Sequence, residues 1–525
     1  MHKKLVIKPS VILSTSIVVL VCALLGLVLL NSIPLPSVAC AQDVGILLDA
    51  GWRSYQGQIC HVDYKSPLGP VFAIMPGIFF LLLGPCYSSL ALLPWVISCL
   101  VAIWTWALVW NKAYFPVGVA ATITISLFAG GLFHPGFDYK ALGFAVFYNR
   151  VGFGLLSVAA IAALLPRQEK FTRASLFADA SLGAAMTILV FLKASLFIFA
   201  VGPMVLSLLL IRRSPQEYLA LAAGILTTFL ICGASIGFRL DLMLSDLLMA
   251  ASARSQVMAS HYFFPIRNLM ANADFILLAV FISIPLLIEI FRKDDMARAA
   301  AKGLLIYWML LFLGFCVTLT QSHGDGRGIP TIIAGGLVMI TWIKEIKLVR
   351  AAVINTVTCG VLIQTFLLAW PHVMSYRFLW SLSPNDFTQE FRQPSLKDWH
   401  ISDFNLLGNQ FAPLVNEGAE LVARNTSKSA SLVYPDYANV FNFTLGMRSP
   451  KGSMLWWDTA ATYSRKRHPP TNIFDDTEYL LIPITRSVLP LNDFFSIYGT
   501  YIQIAFREVA RSENFLLLRR TVSHN

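Results

Sequence analysis

Long apolar runs separated by short loops rich in Lys and Arg fill the chain as far as Trp370. Beyond it the runs shorten, and Pro, Asn and Asp break them up. A run of about 20 apolar residues matches the hydrocarbon thickness of a bilayer when helical. The first, Val11 to Leu30, follows His2, Lys3, Lys4 and Lys8 and reads as a spanning helix. Ala39-Cys40-Ala41 mimics a signal-peptide cleavage site, but the run is too long for a signal peptide and further runs follow it.

Loop charge then orders the runs. Basic loops at Lys112, Arg167 to Arg173, Arg212 and Arg213, Arg292 to Lys302, and Lys344 to Arg350 mark the inner side, so an even number of crossings separates each from the next. With the N-terminus inside, only one of Leu68 to Leu83 and Leu90 to Trp110 can cross. The former is about 24 Å long as a helix, short of a span, and carries Pro70, Pro76 and Gly77. It is read as a helix lying in the outer interface.

The spans are then about eleven: Val11–Leu30, Leu90–Trp110, Val117–Leu132, Val151–Leu165, Ala178–Leu192, Leu196–Ile211, Leu219–Gly237, Phe275–Phe291, Leu304–Leu319, Ile329–Ile343 and Ala351–Trp370. The fold class expected is an all-α polytopic membrane domain over 1–370, with a first outer loop at 31–88, and an extracytoplasmic α/β domain over 371–525. In that tail Ser431–Tyr434, Tyr479–Ile484 and Phe515–Arg519 read as strands, and Tyr501–Ala510 reads as helix.

Composition agrees. With 56% hydrophobic and 13% charged residues in 525, an ordinary soluble protein is excluded. The net charge of +11 sits in the short loops, so it reports topology and not a nucleic-acid partner. The eight cysteines show no CxxC spacing of a zinc site. Cys40 and Cys60 share the first outer loop, which leaves a disulfide and two free thiols both open.

The candidate chemistry lies at the outer ends of the spans. Asp43, beside Gln42, opens the apolar Val44, Ile46, Leu47 and Leu48, a pattern that lays an amphipathic helix on the membrane surface with the acid in its first turn. A partly desolvated carboxylate there can take a hydroxyl proton, or it can cap the helix. Asp49 is off the face of Asp43. Asp63, in the turn-rich Asp63-Tyr64-Lys65-Ser66-Pro67, and Asp138, in Phe133 to Lys140, are further acids, each equally readable as a solvated loop residue.

Lys193 interrupts an apolar stretch from Ala184 to Leu210, where a cation is costly unless it faces a cavity or reaches the interface. Arg150 in Tyr148-Asn149-Arg150, and Arg327 in a glycine-rich turn with His323 and Asp325, match phosphate oxygens or serve as an anchor and a turn. One His and one Asp do not define a metal site.

Asp43, Gly57, Asp63-Tyr64 leading to Ser66-Pro67-Leu68-Gly69-Pro70, Lys193 in Leu-Val-Phe-Leu-Lys-Ala-Ser-Leu-Phe, and a polar tail ending in Ala-Phe-Arg-Glu-Val-Ala-Arg-Ser-Glu-Asn-Phe-Leu-Leu-Leu-Arg-Arg together resemble a GT-C class membrane glycosyltransferase. That group includes protein O-mannosyltransferases and aminoarabinose transferases. The resemblance implies a sugar carried on a polyprenyl phosphate, transfer at the outer face of a plasma or bacterial inner membrane, and a lipid, glycan or protein acceptor. It implies Asp43 as base and Lys193 as a phosphate contact; Arg150 and Arg327 are further candidates for the donor phosphate by residue type and position. Gln42-Asp43 departs from the paired acids of metal-dependent variants, so no cofactor is assigned and a divalent cation stays open. A transporter or lipid flippase, the main rival, calls for ionisable groups at mid-membrane and a repeated hydropathy pattern, and neither is present. A non-catalytic assembly subunit is the third reading.

Overall fold

The structure, a computed structural model, describes residues 9–167, 172–258, 264–291, 296–319, 330–344, 351–402, 407, 410–458, 462, 469–488 and 491–521. In chain order the helices are α1 (Pro9–Asn31), α2 (Ala41–Tyr55), α3 (Pro70–Leu83), α4 (Leu93–Val109), α5 (Phe115–Ala129), α6 (Phe147–Leu164), α7 (Arg173–Leu192), α8 (Ala194–Leu210), α9 (Pro215–Ala234), α10 (Leu240–Met258), α11 (Phe264–Ala271), α12 (Ala273–Phe291), α13 (Met296–Leu319), α14 (Pro330–Lys344) and α15 (Ala351–Ser381). The C-terminal part adds α16 (Phe411–Asn425), α17 (Phe441–Leu445), α18 (Pro470–Phe474) and α19 (Asn492–Ala505). Its strands are β1 (Leu432–Val433), β2 (Tyr437–Ala438), β3 (Trp456–Trp457), β4 (Tyr479–Pro483), β5 (Phe506–Arg511) and β6 (Phe515–Arg520).

Among the described residues eight helices are long and apolar enough to cross a membrane, and each coincides with an expected span. The other three expected spans fall on the shorter apolar helices α5, α8 and α14. α6 is buried along its whole length, and α4, α5, α7, α8 and α14 pack around it. Its run of Gly and Ala lets those neighbours come close. α15 continues through Pro371 to Ser381, so the last span carries the helix past Trp370. α3, with 14 residues, belongs with α5, α8 and α14 to the shorter apolar helices among the described residues, each shorter than a hydrocarbon core of about 30 Å. It buries Phe72, Ala73, Pro76 and Phe80 and leaves Leu81 and Leu82 exposed.

The segment from Ala41 does form a helix, but not one lying open on a membrane surface. Every residue of α2 from Val44 to Arg53 is buried, because α3, β2 and α17 all pack on it. Gly45 permits this: a Cβ there would stand 2.8 Å from Val440. The amphipathic pattern holds, and protein takes the place expected for lipid.

Arg53 fastens the arrangement. Its Nε–H donates to Asp49 Oδ2 at 2.9 Å, and both side chains are at most 1% exposed. The rest of the guanidinium donates to Gln58 Oε1, to the Pro450 carbonyl and to Ser453 Oγ, and lies over the Tyr64 ring. Backbone bonds run alongside: Lys65 N–H donates to the Ser453 carbonyl at 3.0 Å, and Leu455 N–H to the Lys65 carbonyl at 3.0 Å. Asp63 to Pro67 is therefore a structured connection to the C-terminal part. At a second joint Trp399 stacks between Phe391 and Tyr87, and its indole N–H donates to Ser37 Oγ at 2.8 Å.

The main sheet has strand order β1-β4-β6-β5, with β1 parallel to β4 and the other pairs antiparallel; β2 and β3 form a separate antiparallel pair. The expected strands near 432, 479 and 515 are present. The expected helix at Tyr501–Ala510 is corrected: α19 ends at Ala505, and Phe506–Arg511 is strand β5, paired to β6 with a bulge between Glu508 and Ala510. The helix-like spacing of Ile502 and Phe506 is local, and the ladder to β6 overrides it. Cys40 and Cys60 are both free thiols.

Removing one member of a buried ion pair strands the other without a partner. Arg53→Leu is therefore expected to cost about 3–5 kcal/mol, read as a lowered thermal unfolding midpoint of the purified protein. A midpoint equal to wild type would show that the pair is not what fastens α2.

Candidate active site

Asp43 occupies the first turn of α2, where the helix dipole favours an anion. The Tyr437 hydroxyl donates to its Oδ1 at 2.8 Å, and the Val146 backbone N–H donates to its Oδ2 at 3.2 Å. The three residues come from the start of α2, the start of α6 and β2, so the site exists only where the helical and C-terminal parts meet. A small cavity of about 10 Å³ opens there, walled by Asp43, Ile46, Leu47, Phe72, Phe144, Phe147, Tyr148, Tyr437 and Trp456. Burial, with the negative charge of Asp43 added, raises the Tyr437 phenol above its ordinary range, so it stays a hydrogen-bond donor.

The backbone around Asp43 is strained. Cys40 at φ 54° precedes α2, Val146 at φ 44° precedes α6, and Tyr437 has φ 42°. Left-handed conformations are uncommon for residues other than Gly, and a β-branched Val there is an outlier. Three of the five such residues in the described chain surround one carboxylate. Strain of this kind persists only where surrounding structure over-determines it, and it clusters at functional sites. Burial and Asp43 also push the Cys40 thiol up to about 12, so it is a neutral neighbour.

Lys193 is the one-residue break between α7 and α8, in extended backbone. Its Nζ donates to Asn149 Oδ1 at 2.7 Å and lies 5.2 Å from the centre of the Tyr148 ring, a wall of the Asp43 cavity. The Ser66 to Pro70 turn docks beside it: Gly69 N–H donates to the Leu192 carbonyl, and a Cβ on Gly69 would meet the Phe191 carbonyl oxygen at 2.0 Å. Only glycine lets this turn reach the break.

Among the remaining candidates, Arg150 is near enough to Asp43 for the two charges to interact. Arg150 is fully buried, donating to the Gly131, Gly143 and Ala145 carbonyls and stacking on Phe147, so it braces the loop that presents Val146. Asp63 accepts from Ile59 N–H and pairs with Lys451 at 2.9 Å. Asp138 accepts from Lys140 N–H in its own turn. Asp49 is taken up by Arg53. Arg327, His323 and Asp325 lie outside the described residues. Among the described residues no three His, Cys, Asp or Glu side chains are grouped to hold a metal ion.

Sequence reasoning misses Tyr437, Val146 and Trp456. Tyr437 is 394 positions from Asp43, and nothing local marks it. Tyr148 and Asn149 do stand in the triplet singled out for Arg150; it is they, not Arg150, that meet Lys193 and the cavity.

No family model and no curated protein matches this chain. Among solved structures, ArnT from Cupriavidus metallidurans bound to undecaprenyl phosphate aligns 98% of its chain with 96% of this one, at 12% identity and a TM-score of 0.49. The same protein in the apo state aligns over the same shares at 12% identity and a TM-score of 0.47. Arabinofuranosyltransferase AftD from Mycobacteria aligns 40% of its chain with 96% of this one, at 12% identity and a TM-score of 0.40. ArnT is an aminoarabinose transferase, from the group that the sequence resemblance names.

Beside the site, α10 is tied to the same loop by a buried charge cluster. His61 Nδ1 is 2.9 Å from Asp246 Oδ2, Lys65 Nζ is 3.7 Å from Asp246 Oδ1, and Ser66 N–H donates to Asp246. Burial disfavours the imidazolium, but Cys60 and Asp246 outweigh it and push His61 up to about 9 from its ordinary 6.5. A raised pKa stabilises the fold fully below the unfolded value, and that stability is lost as pH rises through the folded value. The unfolding midpoint of wild type is expected to exceed that of His61→Gln most at about pH 6, below the unfolded value, with the gap closing as pH passes about 9. A gap independent of pH would show that His61 is not charged in the fold.

Proposed function

We propose that this chain is a membrane glycosyltransferase that moves a sugar from a polyprenyl-phosphate donor to a lipid, glycan or protein acceptor at the outer face of a plasma or bacterial inner membrane, with Asp43 as general base. The observation that carries it is the strained convergence on Asp43. The Tyr437 hydroxyl and the Val146 N–H hold this carboxylate at the joint between membrane helices and a polar C-terminal part, where a lipid-borne substrate and a water-borne one can meet.

In the reaction the acceptor hydroxyl gives its proton to Asp43 as its oxygen attacks the anomeric carbon. The new C–O bond forms on the face opposite the leaving group, the bond from that carbon to the phosphate oxygen breaks, and its electron pair leaves on the phosphate. The anomeric configuration inverts. Lys193, one aromatic ring from the cavity, is the cation for that leaving charge. Arg150, through its bonds to carbonyls, positions the Val146 loop, and Lys193 is the phosphate contact. An apolar groove of about 410 Å³ between α1, α5 and α15, with Tyr376 and Arg377 in its lining, gives an isoprenoid chain a place among the helices.

The test is turnover by the purified full-length protein in lipid nanodiscs, supplied with a panel of undecaprenyl-phosphate sugars. General-base removal costs about 10²–10⁴-fold, so Asp43→Asn is expected to lose turnover by that factor while unfolding at the wild-type temperature. Asp63→Asn, altered in a surface ion pair, is expected to remain active. Unchanged turnover by Asp43→Asn would sink the assignment.

A further inference from the structure

Contacts along the seam between α1 and α4 fix how the two helices face each other. Gly26 lies against the Trp95 ring, where a Cβ would stand 2.7 Å from it, and the Trp95 indole N–H donates to the Cys22 carbonyl at 2.8 Å. Further along, Val18 and Ala102 are buried in one small apolar cluster, and the Trp106 indole N–H donates to Thr15 Oγ1 at 3.1 Å. Positions fall along α1 as they rise along α4, so the helices run antiparallel, and the steps of three and four keep each set on one face. Between Gly26–Trp95 and Val18–Ala102 this register brings Cys22 opposite Cys99. Their thiols are within hydrogen-bonding reach of one another.

Both cysteines are free thiols and both are partly exposed. They stand inside the apolar runs Val11–Leu30 and Leu90–Trp110, so whatever reaches them comes through lipid and not through water. α1 buries five of its 23 residues, and most of its surface is left to lipid. Next to the seam, its Val21, Leu24, Leu25 and Val28 form one wall of the apolar groove. A covalent bond between Cys22 and Cys99 ties that wall to α4.

We propose that Cys22 and Cys99 form a redox site within the membrane, oxidised to a disulfide by a lipid-soluble quinone. The two thiols give up two protons and two electrons, the S–S bond forms between them, and the quinone carries both protons and both electrons away as the hydroquinone. A quinone is the class of oxidant that the location selects, because a charged or strongly hydrated one does not enter hydrocarbon. The site lies apart from Asp43, so the inference stands whether or not the chain transfers a sugar. Its product is a staple that records the redox state of the membrane in the packing of α1.

The test uses the full-length protein in nanodiscs loaded with a fully substituted benzoquinone, with disulfides read by non-reducing peptide mass spectrometry. A Cys22–Cys99 linked peptide is expected, with loss of both thiols to alkylation after denaturation, while the other six cysteines stay reactive. A lipid-soluble phosphine is expected to restore both thiols. A disulfide stabilises by closing a loop in the unfolded chain, so oxidised wild type is expected to unfold at a higher temperature than reduced wild type. In Cys22→Ser and in Cys99→Ser, quinone is expected to leave the midpoint where it was. Absence of the linked peptide in quinone-loaded nanodiscs would overturn the proposal, even where copper phenanthroline links the two cysteines, since that result marks neighbours that a membrane oxidant does not use. A midpoint that falls on oxidation would overturn it too, because the bond would then form only by distorting the seam.

Discussion

A guanidinium buried in the last turn of one helix is the constraint on which the rest depends. Arg53 cannot lie in a protein interior without a carboxylate and a full set of acceptors, and it finds them on both sides of a joint: Asp49 on its own helix, and Pro450 and Ser453 in the C-terminal part. Meeting that requirement brings the C-terminal loop down onto α2. Once there, the same part delivers Tyr437 to Asp43, at the opposite end of that helix.

The site that results is costly to build. Three left-handed residues that are not glycine surround one carboxylate, and each departs from the conformation its side chain prefers. Arg150 and its carbonyl bonds restrain the loop before α6, the Cys40 carbonyl accepts from Asp43 N–H at the start of α2, and the β2–β3 ladder holds Tyr437. A buried arginine bonded to carbonyls acts on one side, and on the other the ladder is joined by the packing of β2 on α2 and of Tyr437 against Trp456.

Several features are legible because they are local. Lys193 is marked by its place inside an apolar stretch, and the structure puts a helix break there. The inner/outer parity of basic loops sets Leu68–Leu83 apart from the spans, and a short apolar helix, α3, forms there. Asp43 is marked by its place before an apolar run, which does form a helix. Other features are set by neighbours in space. Arg150 has the residue type of a phosphate ligand, and the structure also gives it three backbone carbonyls to donate to. Tyr501–Ala510 looks helical by spacing, yet a neighbouring strand claims half of it.

The sequence by itself determined which segments are apolar enough to leave water, because hydropathy acts on each segment separately and the bilayer is a solvent that reads one helix at a time. It also determined that acids and lone cations gather at the ends of those segments. Only the tertiary structure decided which of them share a site. Partnership between Asp43 and Tyr437 is a matter of distance in space, set by the packing of α2, α6 and β2 around a buried arginine and two close glycine contacts, and no local pattern in either segment encodes it.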